Sequence, residues 1–225
     1  DCQSCTPRFY CPNASLPRPI LPCTAGFYCP GGQVTPTHVC PTGSRCPQGV
    51  DDPIGCAPGA YQDEVGQATC KTCPAGFYCT GNTTTPAPCP AGYFCPLATP
   101  IATQFPCPNG TFSNVTQLRA EDECLPCSPG FYCAGTGLTT PTDRCAPRHY
   151  CSSGSRIPTP SHAGEGGGYC DAGYVCTGGA TSPQPTGEFG TGYVCPAGAT
   201  CQVGATHEVG CAPGSYNPTT GQSTC

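Results

Sequence analysis

Apolar positions in this chain never settle into a sustained helical rhythm. No stretch repeats apolar residues at 3.6-residue intervals, so the pattern predicts no helix. The aromatic residues come instead as adjacent pairs just before a cysteine: Phe9-Tyr10, Phe27-Tyr28, Phe77-Tyr78, Tyr93-Phe94 and Phe131-Tyr132. A proline-glycine run leads into several of them, as in Pro74-Ala75-Gly76-Phe77 and Pro129-Gly130-Phe131. Such a run reads as a tight turn feeding one extended residue pair. The stretch from Ala57 to Gln67 reads as a small hairpin of its own. The expected structure is thus short strands and irregular loops. The aromatic pairs have two competing roles, packing on neighbouring disulfides to join one module to the next, or standing exposed as stacking platforms for sugar or protein.

The cysteines give the chain its beat. There are 25 among 225 residues, and C-x5-C recurs from Cys5, Cys23, Cys40, Cys73, Cys89, Cys127, Cys145, Cys170 and Cys195. C-x-x-C occurs at Cys2/Cys5, Cys70/Cys73 and Cys124/Cys127, each running into a C-x5-C unit. Long loops precede two of these junctions, Cys56 to Cys70 and Cys107 to Cys124. The run GCAPGAYQDEVGQATC from Gly55 is nearly repeated by GCAPGSYNPTTGQSTC from Gly210. By that alignment Cys225 and Cys2 both correspond to Cys70, so further repeat is expected beyond both ends. Self-similarity of this kind marks a tandem array. The segments expected are 1–69 with three C-x5-C units and the start of a long loop, 70–123, and 124–225. The last carries two eighteen-residue loops, 152–169 and 177–194, as its flexible or contact-making parts.

Composition says what holds such a chain together. With 30 Pro, 31 Gly, no Trp and no Met, there is little to build an ordinary apolar core. Cross-links must supply the stability, at roughly 3 kcal/mol for a loop of about 15 residues on the chain-entropy model. The fold class expected is small and disulfide-rich: tandem cysteine-rich modules forming an elongated rod with almost no helix. Nine C-x5-C units and three long loops (Cys56/Cys70, Cys107/Cys124, Cys211/Cys225) use every cysteine but Cys2, whose partner is then expected outside the chain. A sequential ladder (Cys11–Cys23, Cys29–Cys40 and onward) also closes the count, leaving Cys225 over.

So many disulfides imply an oxidising compartment, outside the cell or on its surface. Four sequons agree, at Asn13, Asn82, Asn109 and Asn114, while Asn217 is excluded by Pro218. Thr83, Thr84, Thr85, Thr159, Thr181 and Ser182 lie in Thr/Ser/Pro clusters that resemble O-glycosylation substrates. Charge is sparse, 8 basic against 13 acidic residues, and the basic ones are scattered, which argues against a nucleic-acid partner. No apolar run is long enough to cross a bilayer, so no direct membrane insertion is expected of this segment.

The unit C-x13-C-x2-C-[ST]PxGFYC-x9-C-PAGYF-C, clearest from Cys56 to Cys95, resembles the cysteine-rich repeats of ephrin receptors and tumour necrosis factor receptors. That resemblance implies a closed first loop followed by crossed pairs: Cys56–Cys70, Cys73–Cys89 and Cys79–Cys95, then Cys107–Cys124, Cys127–Cys145 and Cys133–Cys151. The density of CPAGFYC-like copies is most similar to large extracellular proteins of algae and other protists. Among these are mastigoneme proteins, which polymerise into hair-like filaments on flagella.

No catalytic arrangement emerges. His38, His149, His162 and His207 are widely spread, and a zinc or redox role for C-x-x-C competes with cross-linking. Asp51-Asp52, Asp63-Glu64 and Glu121-Asp122-Glu123 read as solvated acidic loops rather than calcium sites. The expected function is structural: a subunit or segment of a secreted, glycosylated filament or surface coat. Self-association or other extracellular subunits would supply its partners, and covalent glycans rather than cofactors its non-protein groups. A receptor or adhesin ectodomain is the alternative, and a carbohydrate-binding module the third; an enzyme is not expected.

Overall fold

The structure is a computed structural model describing residues 5–12, 21–187 and 190–225. Cys2 and the Asn13 sequon lie outside the described residues. As the composition implies, the protein is small, disulfide-rich and nearly free of helix. Among the described residues, ten two-stranded antiparallel pairs form the strands, and the helical elements are the three-residue 3-10 turns Glu121–Glu123 and Ala163–Glu165.

One repeat builds all of it. A cysteine is followed three residues later by a residue with positive φ, then, in ten of the twelve repeats (those from Cys89 and Cys211 are the exceptions), by a two- or three-residue strand, and then by a loop. In repeat 5 the amide of Phe77 donates to Pro74 O at 3.2 Å and Gly76 has φ +87°, which makes a β-turn whose third residue favours glycine. Phe77 and Tyr78 then pair with Pro88 and Ala87, the residues that lead into Cys89. The amide of Cys89 closes the hairpin on Gly76 O at 2.9 Å.

Twelve cysteines start such repeats: Cys5, Cys23, Cys40, Cys56, Cys73, Cys89, Cys107, Cys127, Cys145, Cys170, Cys195 and Cys211. The long loops are therefore ordinary repeats, numbered 4, 7 and 12. In them Gln62, Ser113 and Asn217 stand where the second cysteine of C-x5-C would be. The hairpin read within Ala57–Gln67 is accordingly larger, since Ala60 and Tyr61 pair with Thr72 and Lys71 instead.

Every C-x5-C closes on itself, because the turn folds its second cysteine back over the first. Cys73–Cys79, Cys89–Cys95, Cys127–Cys133 and Cys145–Cys151 are the pairs made, with Cα–Cα separations from 5.7 to 6.0 Å. This corrects the crossed pairs Cys73–Cys89, Cys79–Cys95, Cys127–Cys145 and Cys133–Cys151, and it also differs from the sequential ladder. Cys56, Cys107 and Cys211 lack a near partner and reach Cys70, Cys124 and Cys225 at the ends of their own loops. The boundaries 69/70 and 123/124 thus fall inside repeats 4 and 7, just before the cysteine that closes each.

No disulfide among the described residues joins one repeat to another. Backbone hydrogen bonds do that instead, in a recurring set of three. From repeat 4 to repeat 5, Gly59 N donates to Cys79 O, Gln62 N to Thr83 O, and Asn82 N back to Cys56 O, at 2.8 to 2.9 Å. From repeat 8 to repeat 9 the same places carry Gly130 to Cys151, Cys133 to Ser155 and Gly154 to Cys127, each at 2.9 Å. The residue that donates backwards has positive φ even where it is not glycine, as at Asn82, Ala98 and Gln117.

The chain divides into two compact units, Asp1–Phe105 with Thr116–Ala120, and Pro106–Val115 with Glu121–Cys225. In each, the buried apolar residues are mostly half-cystines, joined by Val50 and Leu118 in the first and by Val175, Ala180 and Ala199 in the second.

Candidate functional site

The repeat decides what reaches the surface. Asn82, Asn109 and Asn114 are all exposed, on loops or turns, as an N-glycan acceptor must be. The O-glycan candidates divide. Thr84, Thr85 and Thr159 are exposed, whereas Thr83 is half-buried and its carbonyl is used in the ladder by Gln62. Thr181 and Ser182 line a cleft.

The aromatic pairs are half-buried, each keeping part of its surface open. Tyr28 packs against Cys40, Cys46 and Val50 of the following repeat and stacks on His38, with ring centroids 5.1 Å apart. Tyr150 packs in the same way on Cys170, Cys176 and Ala180. These rings cover the next disulfide and keep water from the sulfur core.

The two long loops are built into their repeats. In the first, His149 is buried and its ring nitrogen bonds Pro160 O at 2.8 Å, while its ring packs on Tyr169 at 4.5 Å. Ser155 and Pro160 are buried, and the Ser161 amide and hydroxyl donate to Glu165 Oε2 at 2.7 and 2.9 Å. Those two bonds hold the Glu165 carboxyl below its usual range. In the second, Tyr174–Cys176 pairs with Gly192–Val194, and the stretch from Gly179 to Thr186 forms one wall of a cleft.

That cleft holds about 420 Å³ and lies in the second unit, between the turn and strands of repeat 8 and the long loop of repeat 10. Phe131 and Arg144 form one side, Thr181, Ser182, Gln184 and Pro185 the other. Its floor is a close approach of main chain, because a β-carbon on Gly130 would stand 2.6 Å from Gly179 O. The Arg144 stem lies over Gly179. Gln184 Nε2 donates to Asp171 Oδ2 at 2.9 Å, which fixes the carboxamide. Cysteine spacing singled out the loop but not the arginine opposite it.

A smaller cleft of about 280 Å³ includes Arg148, Gln202 and His207. Its arginine is engaged. Arg148 occupies the glycine place of its turn with φ 80°, and its Nε donates to Gly204 O at 3.2 Å.

The other titratable groups are dispersed. Lys71 Nζ meets Asp63 at 2.6 Å and Glu64 at 3.1 Å, and the hydrogen bond from Lys71 draws the Asp63 carboxyl below its ordinary value. The Tyr193 hydroxyl donates to Glu208, which raises the phenol and lowers the carboxyl. Asp51 pairs with Arg8 at 3.3 Å, and Glu121–Glu123 is exposed. Among the described residues no group of three His, Cys, Asp or Glu is placed to hold a metal ion, and no helix is long and apolar enough to cross a membrane. No protein-family model matches the chain, and no curated protein matches it.

Proposed function

We propose that this chain is a segment of a secreted, glycosylated structural protein that assembles into an extracellular filament or coat, comparable to mastigonemes. The observation that carries the reading is the economy of the repeat. The features that recur within it, the turn glycine, the backward-donating residue and the aromatic over the next disulfide, serve a neighbouring repeat. Chains of this kind extend by addition of units, each held mainly by its neighbours. The role is mechanical and non-enzymatic. Glycans at Asn82, Asn109 and Asn114 supply the solubility that sparse charge does not, and an oxidising extracellular site suits twelve disulfides.

Electron microscopy and light scattering of the secreted, glycosylated protein test this reading. Filaments or sheets are expected. A monodisperse species with the mass of one glycosylated chain, elongated or not, would refute assembly. The cleft beside Phe131 favours a second reading, a ligand-binding ectodomain of a receptor or adhesin. That reading expects saturable binding to one partner and no polymer.

A further inference from the structure

A nearly periodic array makes its departures from period informative, and the cleft of repeats 8 and 10 collects several. The residue opposite the first strand aromatic is Pro22 for Phe9, Val39 for Phe27 and Pro88 for Phe77. Opposite Phe131 it is Arg144. Directly opposed residues share a face of the hairpin, so the guanidinium and the ring are presented together. The adjoining wall comes from a loop far longer than in most repeats. No carboxylate among the described residues lies within ion-pairing distance of Arg144, whereas Arg8 pairs with Asp51 and Arg148 is held by Gly204 O.

We propose that this cleft binds an anionic saccharide, a sugar ring carrying a carboxylate or a sulfate. Its volume falls within the ~300–1,000 Å³ range of small-molecule sites. The Phe131 ring offers an apolar face to the C–H side of a sugar. The Arg144 fork matches a planar carboxylate or two sulfate oxygens. Thr181 and Ser182 hydroxyls both donate and accept, and Gln184, with its amide nitrogen on Asp171, offers its carboxamide oxygen to sugar hydroxyls. In this assignment Thr181 and Ser182 are ligand contacts rather than glycan acceptors. The inference does not rest on the filament reading, and either can fail alone.

Calorimetric titration of the secreted full chain with tetragalacturonate, a sulfated galactose tetrasaccharide, maltotetraose and a tetraglutamate peptide provides the test. Binding of one or both anionic saccharides is expected, weakening with added salt, and the one preferred identifies the anion. Arg144→Gln, at an exposed position, is expected to weaken it about tenfold or more, the loss of a charged hydrogen-bonding pair. Thr181→Ala is expected to weaken it less. Failure of both anionic saccharides to bind would overturn the proposal. So would equal binding by Arg144→Gln, equal or tighter binding of maltotetraose or the peptide, or an O-glycan on Thr181 or Ser182 in the native protein.

Discussion

A β-carbon placed on Gly43 would stand 2.6 Å from the carbonyl oxygen of Asn82, two repeats further along the chain. The turn glycine therefore answers two demands. Its φ of +77° is strained for other residues, and its missing side chain leaves room for a carbonyl. Gly32 shares the first demand, with φ +72°, but a β-carbon there meets nothing within 4 Å.

Gly43→Ala and Gly32→Ala separate these two costs. Gly32→Ala is expected to destabilise by about 1 kcal/mol, the backbone cost alone. Gly43→Ala is expected to cost about 3 kcal/mol, since main chain of another repeat must also shift. Thermal unfolding reports the totals, and amide exchange at Gly43 and Cys46 reports the local loosening. Equal effects from the two variants would contradict the close packing.

Gln62 takes the place of a cysteine, and its side chain does related work. It is 1% exposed, its Nε2 donates to Thr69 O at 2.7 Å, and its Oε1 accepts from Glu64 N at 3.1 Å. The carboxamide thus pins the loop whose end carries Cys70. Gln62→Ala leaves those backbone groups unpaired and is expected to cost about 1–3 kcal/mol. Gln62→Cys is the sharper variant. It restores C-x5-C, so Cys56 is expected to pair with residue 62 and leave Cys70 as a free thiol, detectable by alkylation and peptide mass mapping. Retention of Cys56–Cys70 would contradict the equivalence of the repeats.

Much of this fold was legible in the chain. The turn before each aromatic pair, the lack of helix and the disulfide-rich class all followed from the spacing of Gly, Pro and Cys. Cysteine spacing hides the unity of the repeat, because repeats 4, 7 and 12 carry Gln62, Ser113 and Asn217 in place of the second cysteine. A better marker was the turn, since CAPGAYQ at Cys56 and CPAGFYC at Cys73 align through Gly59 and Gly76. The backward-donating place was hidden for another reason. Asn82, Ala98 and Gln117 adopt positive φ there without the glycine that would announce it, held by bonds to Cys56, Cys73 and Cys89. Pairing of cysteines is decided by how the turn folds, which spacing alone does not carry. The cleft has a similar origin, since Phe131 and Arg144 meet only through hairpin register.

The Lys71 cluster predicts a local pH response. The Lys71 hydrogen bond lowers the Asp63 pKa from its ordinary 3.8, so its contribution is fully present above that value and is lost as pH falls through the lower folded value. Both partners are solvated, so salt screens the pair and global stability responds little. A carbon-detected titration is expected to place the Asp63 midpoint below 3.8, and Lys71→Met to return it toward 3.8. An unchanged midpoint in that variant would contradict the assignment.

Access to reductant should follow burial. Cys127–Cys133 and Cys89–Cys95 are fully buried, whereas Cys70 of the Cys56–Cys70 bond is half-exposed. Mild reduction with differential alkylation is expected to label Cys56–Cys70 before them, because exchange requires approach to sulfur. Earlier labelling of Cys127–Cys133 would contradict the covered sulfur core.

Peptide mapping of the unreduced protein tests most directly whether each repeat is closed by its own disulfide and joined to the next by backbone alone. Cleavage between Cys79 and Cys89 should release Cys73–Cys79 and Cys89–Cys95 as separate species, each linked across five intervening residues. Recovery of Cys73 linked to Cys89, or of Cys79 linked to Cys95, would contradict the account.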